Sequence, residues 1–149
     1  MPKSSKQAKA RNQPVIGKNV KTNSNPSEYL NLYPSWRVSR LYFHDPYGWH
    51  VLAADKVREV QQKLISLESM TWNEILVRNE GRYHQVDISK LCKAAQSRLV
   101  EMSIDDIDEI LSLRLTGRER VWGLLKGGVV ELLWWDPEHE ICPSLQSHT

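Results

Sequence analysis

The sequence predicts an α+β domain in which an N-terminal strand and two to three helices precede a three-stranded antiparallel meander, with all strands in one sheet. A run rich in β-branched and aromatic residues, Trp36 to Phe43, stands ahead of everything with helical spacing. Between Leu52 and Leu99 apolar residues recur three and four apart. Beyond Ile110 the period drops to two, and a Gly127-Gly128 pair divides two apolar runs.

Trp36 to Phe43 is bounded by Pro34 and by Asp45-Pro46-Tyr47-Gly48, and reads as the first strand. Ala53, Val57, Val60, Leu64 and Leu67 then share one face of an amphipathic helix, leaving Lys56, Arg58, Glu59, Gln62 and Lys63 outward. Thr71 and Glu74 have capping-box spacing and Met70 is placed to staple Ile75, opening a short second helix to about Arg78. Asn79 to Gln85 reads as a turn around Gly81. Ile88, Leu91, Cys92, Ala95 and Leu99 mark a third helix capped by Asp87 or Ser89, and Ser103 with Asp106 opens one more helical turn. Leu111, Leu113 and Leu115 alternate with Ser112, Arg114 and Thr116, and the runs 118–125 and 129–135 complete the meander.

At 149 residues, 40% hydrophobic and 26% charged, the chain has the length and balance of one globular domain. Its net charge of +2 conceals an asymmetry. Residues 1–27 carry Lys3, Lys6, Lys9, Arg11, Lys18 and Lys21 and no acid, while the rest holds 14 Lys and Arg against 18 Asp and Glu, a formal −4. Residues 1–27, with three prolines and few large apolar groups, are expected to be a disordered basic arm, either solubilising or an electrostatic tether. Residues 28–142 are expected to form the single domain and 143–149 a flexible tail. The acidic body excludes a protein built chiefly to coat nucleic acid, so any such role needs a local basic site. No stretch has the length of a membrane span and no apolar leader stands at the start, so a cytoplasmic protein without a membrane partner is expected. Cys92 and Cys142 are expected to be reduced thiols.

With Gly127 and Gly128 at the hairpin turn, counting outward sets Leu125 against Val130, Gly123 against Leu132 and Val121 against Trp134, a wholly apolar face for the helices to cover. The opposite face then pairs Leu124 with Glu131, Trp122 with Leu133 and Arg120 with Trp135. An odd loop, Thr116-Gly117-Arg118, sets Arg114 opposite Arg120. Two opposed arginines call for an acidic neighbour, such as Glu131 or Glu119, or for a bound anion. Arginine binds phosphate in bidentate fashion and stacks on indole, so Arg114, Arg120, Trp122 and Trp135 fit either a nucleotide site or cation–π packing on a half-buried face. Asp136-Pro137-Glu138-His139 follows the last strand at the rim of that face. His139 as general acid, Glu138 or Asp136 as base and Arg120 on the phosphorane would suffice to cleave a ribose phosphodiester without metal. A solvated loop histidine is the plainer alternative. His139-Glu140-Ile141-Cys142 could supply two metal ligands, with His84 or His148 elsewhere, but lacks the spacing of recognised zinc sites, and there is no phosphate-binding glycine loop, nucleophile elbow or dinucleotide fingerprint. Neither metal nor small-molecule cofactor is expected.

Through its element order, Glu119-Arg120-Val121-Trp122-Gly123, Gly127-Gly128 and Trp134-Trp135-Asp136-Pro137-Glu138-His139, the chain resembles the RelE/ParE toxin superfamily, in particular its RelE/YoeB-like ribonuclease branch. It also looks like bacterial proteins of unknown function ending in LLWWDPEHEICPS. The family resemblance spans roughly residues 36–139. It implies a RelE-like fold and metal-independent cleavage of mRNA at the ribosome, restrained by a cognate antitoxin. Arg120 and His139 occupy the family's places for an arginine before the last hairpin turn and a histidine after the last strand. Taken with the residues that the register gathers on that face, the candidate set is catalytic Arg120, His139 and Glu138 with substrate-binding Arg114, Arg118, Trp122 and Trp135. The acidic body and the carboxylates of Asp136-Pro137-Glu138 depart from the family pattern. They leave a second class open, a non-catalytic RelE-like module that binds a protein through a tryptophan-rich sheet face.

Overall fold

The computed structural model describes residues 28–143; the expected basic arm and all but the first residue of the expected tail lie outside the described residues. Its strands are β1 (Ser35–Arg37), β2 (Tyr83–Asp87), β3 (Glu109–Arg114), β4 (Arg120–Lys126) and β5 (Val129–Asp136), and its α-helices are α1 (Ala54–Glu68) and α2 (Lys93–Glu101). They form a mixed α+β fold around one five-stranded sheet of order β1-β5-β4-β3-β2. β1 is parallel to β5, and the other neighbours are antiparallel. The expected meander β3-β4-β5 is therefore the centre of a wider sheet.

The Gly127-Gly128 turn forms as expected, with φ of 58° and 90°, left-handed backbone that suits glycine at both positions of a two-residue hairpin loop. Leu125 opposes Val130, Leu124 opposes Glu131 and Gly123 opposes Leu132. Beyond Gly123 the expected register fails. Trp122 faces Trp134, Val121 faces Trp135 and Arg120 faces Asp136, so Leu133 is an extra residue in β5, a β-bulge. Its carbonyl is claimed from outside the hairpin, by the Tyr42 N–H at 2.9 Å and the Trp49 Nε1–H at 3.0 Å. This also explains why the first strand stops at Arg37 rather than Phe43. Residues 42–49 run beside β5 irregularly, and Trp135 N–H bonds the Tyr47 carbonyl at 3.0 Å.

Both faces of the sheet are covered. On one, Leu111, Leu113, Val121, Val130, Leu132 and Trp135 pack with Val60 and Leu67 of α1, Trp72 and Ile75. On the other, Ile110, Trp122, Leu124, Leu133 and Trp134 pack with Ala95 and Leu99 of α2, Leu91, Ile104 and Ile141. In α1, Val60, Leu64 and Leu67 face inward as the spacing predicts, but Val57 and Ala53, the N-cap, are exposed, and Lys56, expected outward, bonds Glu119 at 2.7 Å.

The capping box forms, with the Glu74 N–H donating to Thr71 Oγ1 and the Thr71 N–H to Glu74 Oε1, though the turn it opens, Glu74–Arg78, is π-helical. Asp87 accepts from the Ser89 N–H and caps the short 3-10 turn Ile88–Lys90; α2 begins after it. The helical turn expected at Ser103 to Asp106 is absent, and Ser103 is left-handed at φ 62°. The turn expected around Gly81 forms only as far as Arg82, whose N–H donates to the Asn79 carbonyl at 2.9 Å, and from Tyr83 the chain enters β2. Its two apolar residues, Tyr83 and Val86, are three apart, and strand pairing with β3 overrides that spacing.

Candidate functional site

Arg114 and Arg120 stand directly opposite each other across β3 and β4, as the odd loop predicts. Arg120 donates from one guanidinium nitrogen to the carbonyls of Gly117 at 2.9 Å and Glu119 at 3.1 Å. The acids expected to neutralise the pair are engaged elsewhere: Glu119 bonds Lys56, and Glu131 lies 3.6 Å from Arg40. Burial raises the Glu119 carboxyl, but hydrogen bonds from Lys56 and Thr116 outweigh it and hold the group below its ordinary value. Among the described residues, neither Arg114 nor Arg120 has a salt-bridge partner. Burial, followed by the Arg114 charge, pushes the Arg120 guanidinium below its usual range, with Asp136 opposing.

The bulge decides which residues share this face. It turns Trp135 to the α1 side, away from Arg120, and sets Asp136 in its place. Asp136 is fully buried and accepts from Trp122 Nε1 at 3.1 Å, the Glu140 N–H at 2.8 Å and the Ile141 N–H at 3.1 Å. Three donors converge on two oxygens, so this carboxylate is a structural clamp, not the free base considered from sequence. The clamp folds residues 137–141 back on the sheet, and His139 at its crest has φ 59°. Left-handed backbone at a non-glycine residue costs about 1–2 kcal/mol and persists only where surroundings impose it. Half-buried His139 is held below the ordinary imidazole value by burial first and then by Arg120, against an opposing Asp136, with Arg114 and His84 adding in the same direction. Its resting form near neutrality is the free imidazole, a proton acceptor.

The structure therefore brings Arg114, Arg120 and His139 together. Trp122 and Trp135 are buried on opposite faces, at 1% and 4% exposure, so neither offers a ring for stacking and the expected tryptophan-rich surface for a protein partner is enclosed. Glu138 and Arg118 are both exposed and bond each other at 2.9 Å. A pair so exposed contributes little to stability.

Sequence reading missed Arg82 here and weighed His84 only as a metal ligand. His84 of β2 lies near enough for its charge to bear on His139. Arg82 precedes β2 and accepts the Arg114 N–H on its carbonyl at 3.0 Å. Only recognition of β2 as a strand beside β3 could have found them.

Among the described residues, no three His, Cys, Asp or Glu side chains converge as metal ligands do, and no helix is long and apolar enough to cross a membrane. Cys92 and Cys142 are free thiols; burial chiefly pushes the Cys142 thiol up, which disfavours the reactive thiolate. No family model matches the chain, and neither a curated protein nor a solved structure does.

Proposed function

We propose that the chain is a RelE-like, toxin-type endoribonuclease of the cytoplasm that cleaves messenger RNA without a metal and is restrained by an antitoxin protein. The observation that supports it is the cationic pair Arg114 and Arg120, opposed across the ladder without a carboxylate in salt-bridge contact, with neutral His139 at its rim. Such a pair is relieved by an anion, and a phosphodiester supplies one beside a proton acceptor.

In this reading the ribose 2′-hydroxyl attacks phosphorus and its proton passes to the His139 imidazole. Arg120 and Arg114 offset the phosphorane charge. The 5′-oxygen leaves with a proton from water, giving a 2′,3′-cyclic phosphate and a 5′-hydroxyl. His139 thus acts first as base, the reverse of the acid role expected from sequence, because burial and the arginines favour its neutral form.

The test is cleavage of messenger RNA in a translating extract, together with growth on expression. Arg120→Ala and His139→Ala should each reduce cleavage by about 10²–10⁴ with unchanged far-ultraviolet circular dichroism. A wild-type chain that cuts no RNA with translating ribosomes present and does not slow growth overturns the proposal.

A further inference from the structure

We infer that the site continues across the sheet to its free edge as a phosphate track running from His139 over Arg120 and Arg114 to Arg82, and that its ligand is an extended single strand carrying several phosphates. The inference rests on the phosphodiester reading of Arg114 and Arg120 and extends it to a strand that the reaction itself does not require.

The ladder places Asp136, Arg120, Arg114 and Arg82 abreast on β5, β4, β3 and the approach to β2. Side chains alternate along a strand, and Tyr83 lies in the α1-side core, so Arg82 and His84 belong to the face of Arg114 and Arg120. His84 is independently tied to that face by its effect on His139. Strands lie about 4.8 Å apart, so the row from Arg120 to Arg82 spans roughly 10 Å of backbone, long enough to meet more than one phosphate of an extended strand.

Charge gives the row a direction. Its β5 end is closed by buried Asp136, with Glu138 beyond it already paired to Arg118, while its β2 end is cationic and opens on a sheet edge. Asp136 disfavours a polyanion at the first end and the arginines hold it at the second, so the strand leaves the reacting centre over β3 and β2. With Trp122 and Trp135 buried, no indole of this hairpin stacks on a base, and recognition falls to the phosphates. Binding should then be indifferent to base identity.

The experiment is fluorescence anisotropy with labelled oligodeoxynucleotides of two, four and eight residues, which present the same phosphates but lack the attacking hydroxyl. Affinity should rise from dimer to tetramer, be alike for thymidine and adenosine strands, and fall with salt at a log–log slope of about −0.7 for each phosphate held. Arg82→Ala should weaken tetramer binding about tenfold and lower the slope by about 0.7, while Arg58→Ala on α1, outside the row, should leave both unchanged. Circular dichroism of Arg82→Ala confirms that it is folded. Equal affinity of wild type and Arg82→Ala, or binding of inorganic phosphate as tight as of the tetramer, overturns the track. Length-dependent binding lost in Arg82→Ala, in a protein that cleaves no RNA, overturns the nuclease reading and leaves the track standing.

Discussion

Asp136 and His139 show how one buried carboxylate can fix the backbone that carries a neighbouring side chain. Replacing Asp136 by Ala leaves the buried Trp122 Nε1–H and Ile141 N–H without acceptors, at about 1–3 kcal/mol for each stranded donor. Urea unfolding should register that loss, and a change under about 0.5 kcal/mol, typical of a surface site, would contradict the clamp. His139 makes a pH-dependent contribution whose sign follows from its lowered folded value. Below the ordinary imidazole pKa of about 6.5 the unfolded chain binds the proton more readily than the folded one. Stability is therefore full above that value and declines as pH falls toward the folded pKa. His139→Gln should flatten the dependence of the urea midpoint between pH 5 and 7.5. His139→Gly removes the left-handed strain as well, so it should abolish cleavage while holding or raising the melting temperature.

At the scale of the element, the β5 bulge is the decisive feature. Counting outward from Gly127-Gly128 gives the correct partners as far as Gly123, and the Arg114–Arg120 opposition also follows from sequence, because both depend on local turn chemistry. The slip at Leu133 does not, since its cause is a pair of donors on residues 42 and 49, far away in the chain. Gly123 lies at the slip. A Cβ there would stand 2.6 Å from Val130 Cγ1 and 2.7 Å from the Glu131 carbonyl oxygen, and backbone cannot yield as a side chain does. Gly123→Ala should destabilise by about 1–3 kcal/mol by thermal or urea unfolding. Trp135→Ala provides the complementary test. As a core residue on the α1 side it should cost about 3–5 kcal/mol, whereas an exposed stacking platform would cost little.

The whole molecule is a sheet with a core on each face, and its two layers are linked through the same central strands. Leu67→Ala in the α1 layer and Leu99→Ala in the α2 layer should each cost about 2–5 kcal/mol, and each variant should unfold in one transition, because β3, β4 and β5 contribute to both cores. Two separate transitions in either variant would show that the layers are independent. The charge pattern belongs to this scale as well. In a body with formal charge −4 beyond residue 27, Arg120, Arg114 and Arg82 stand abreast on β4, β3 and the approach to β2.

The sequence by itself determined the α+β class, the helix α1, the capping box at Thr71 and Glu74, the Gly127-Gly128 hairpin and the meeting of Arg114 with Arg120. Each depends on residues close in the chain, where spacing and turn chemistry suffice. Tertiary structure alone decided that β2 is a strand, that β1 pairs parallel with β5, that a second layer covers the face expected to be open, and that Trp135 gives way to Asp136 beside Arg120. The physical reason is the same in each case. An edge strand with two apolar residues, and a bulge stabilised by a distant loop, gain their hydrogen bonds from partners that local sequence does not contain.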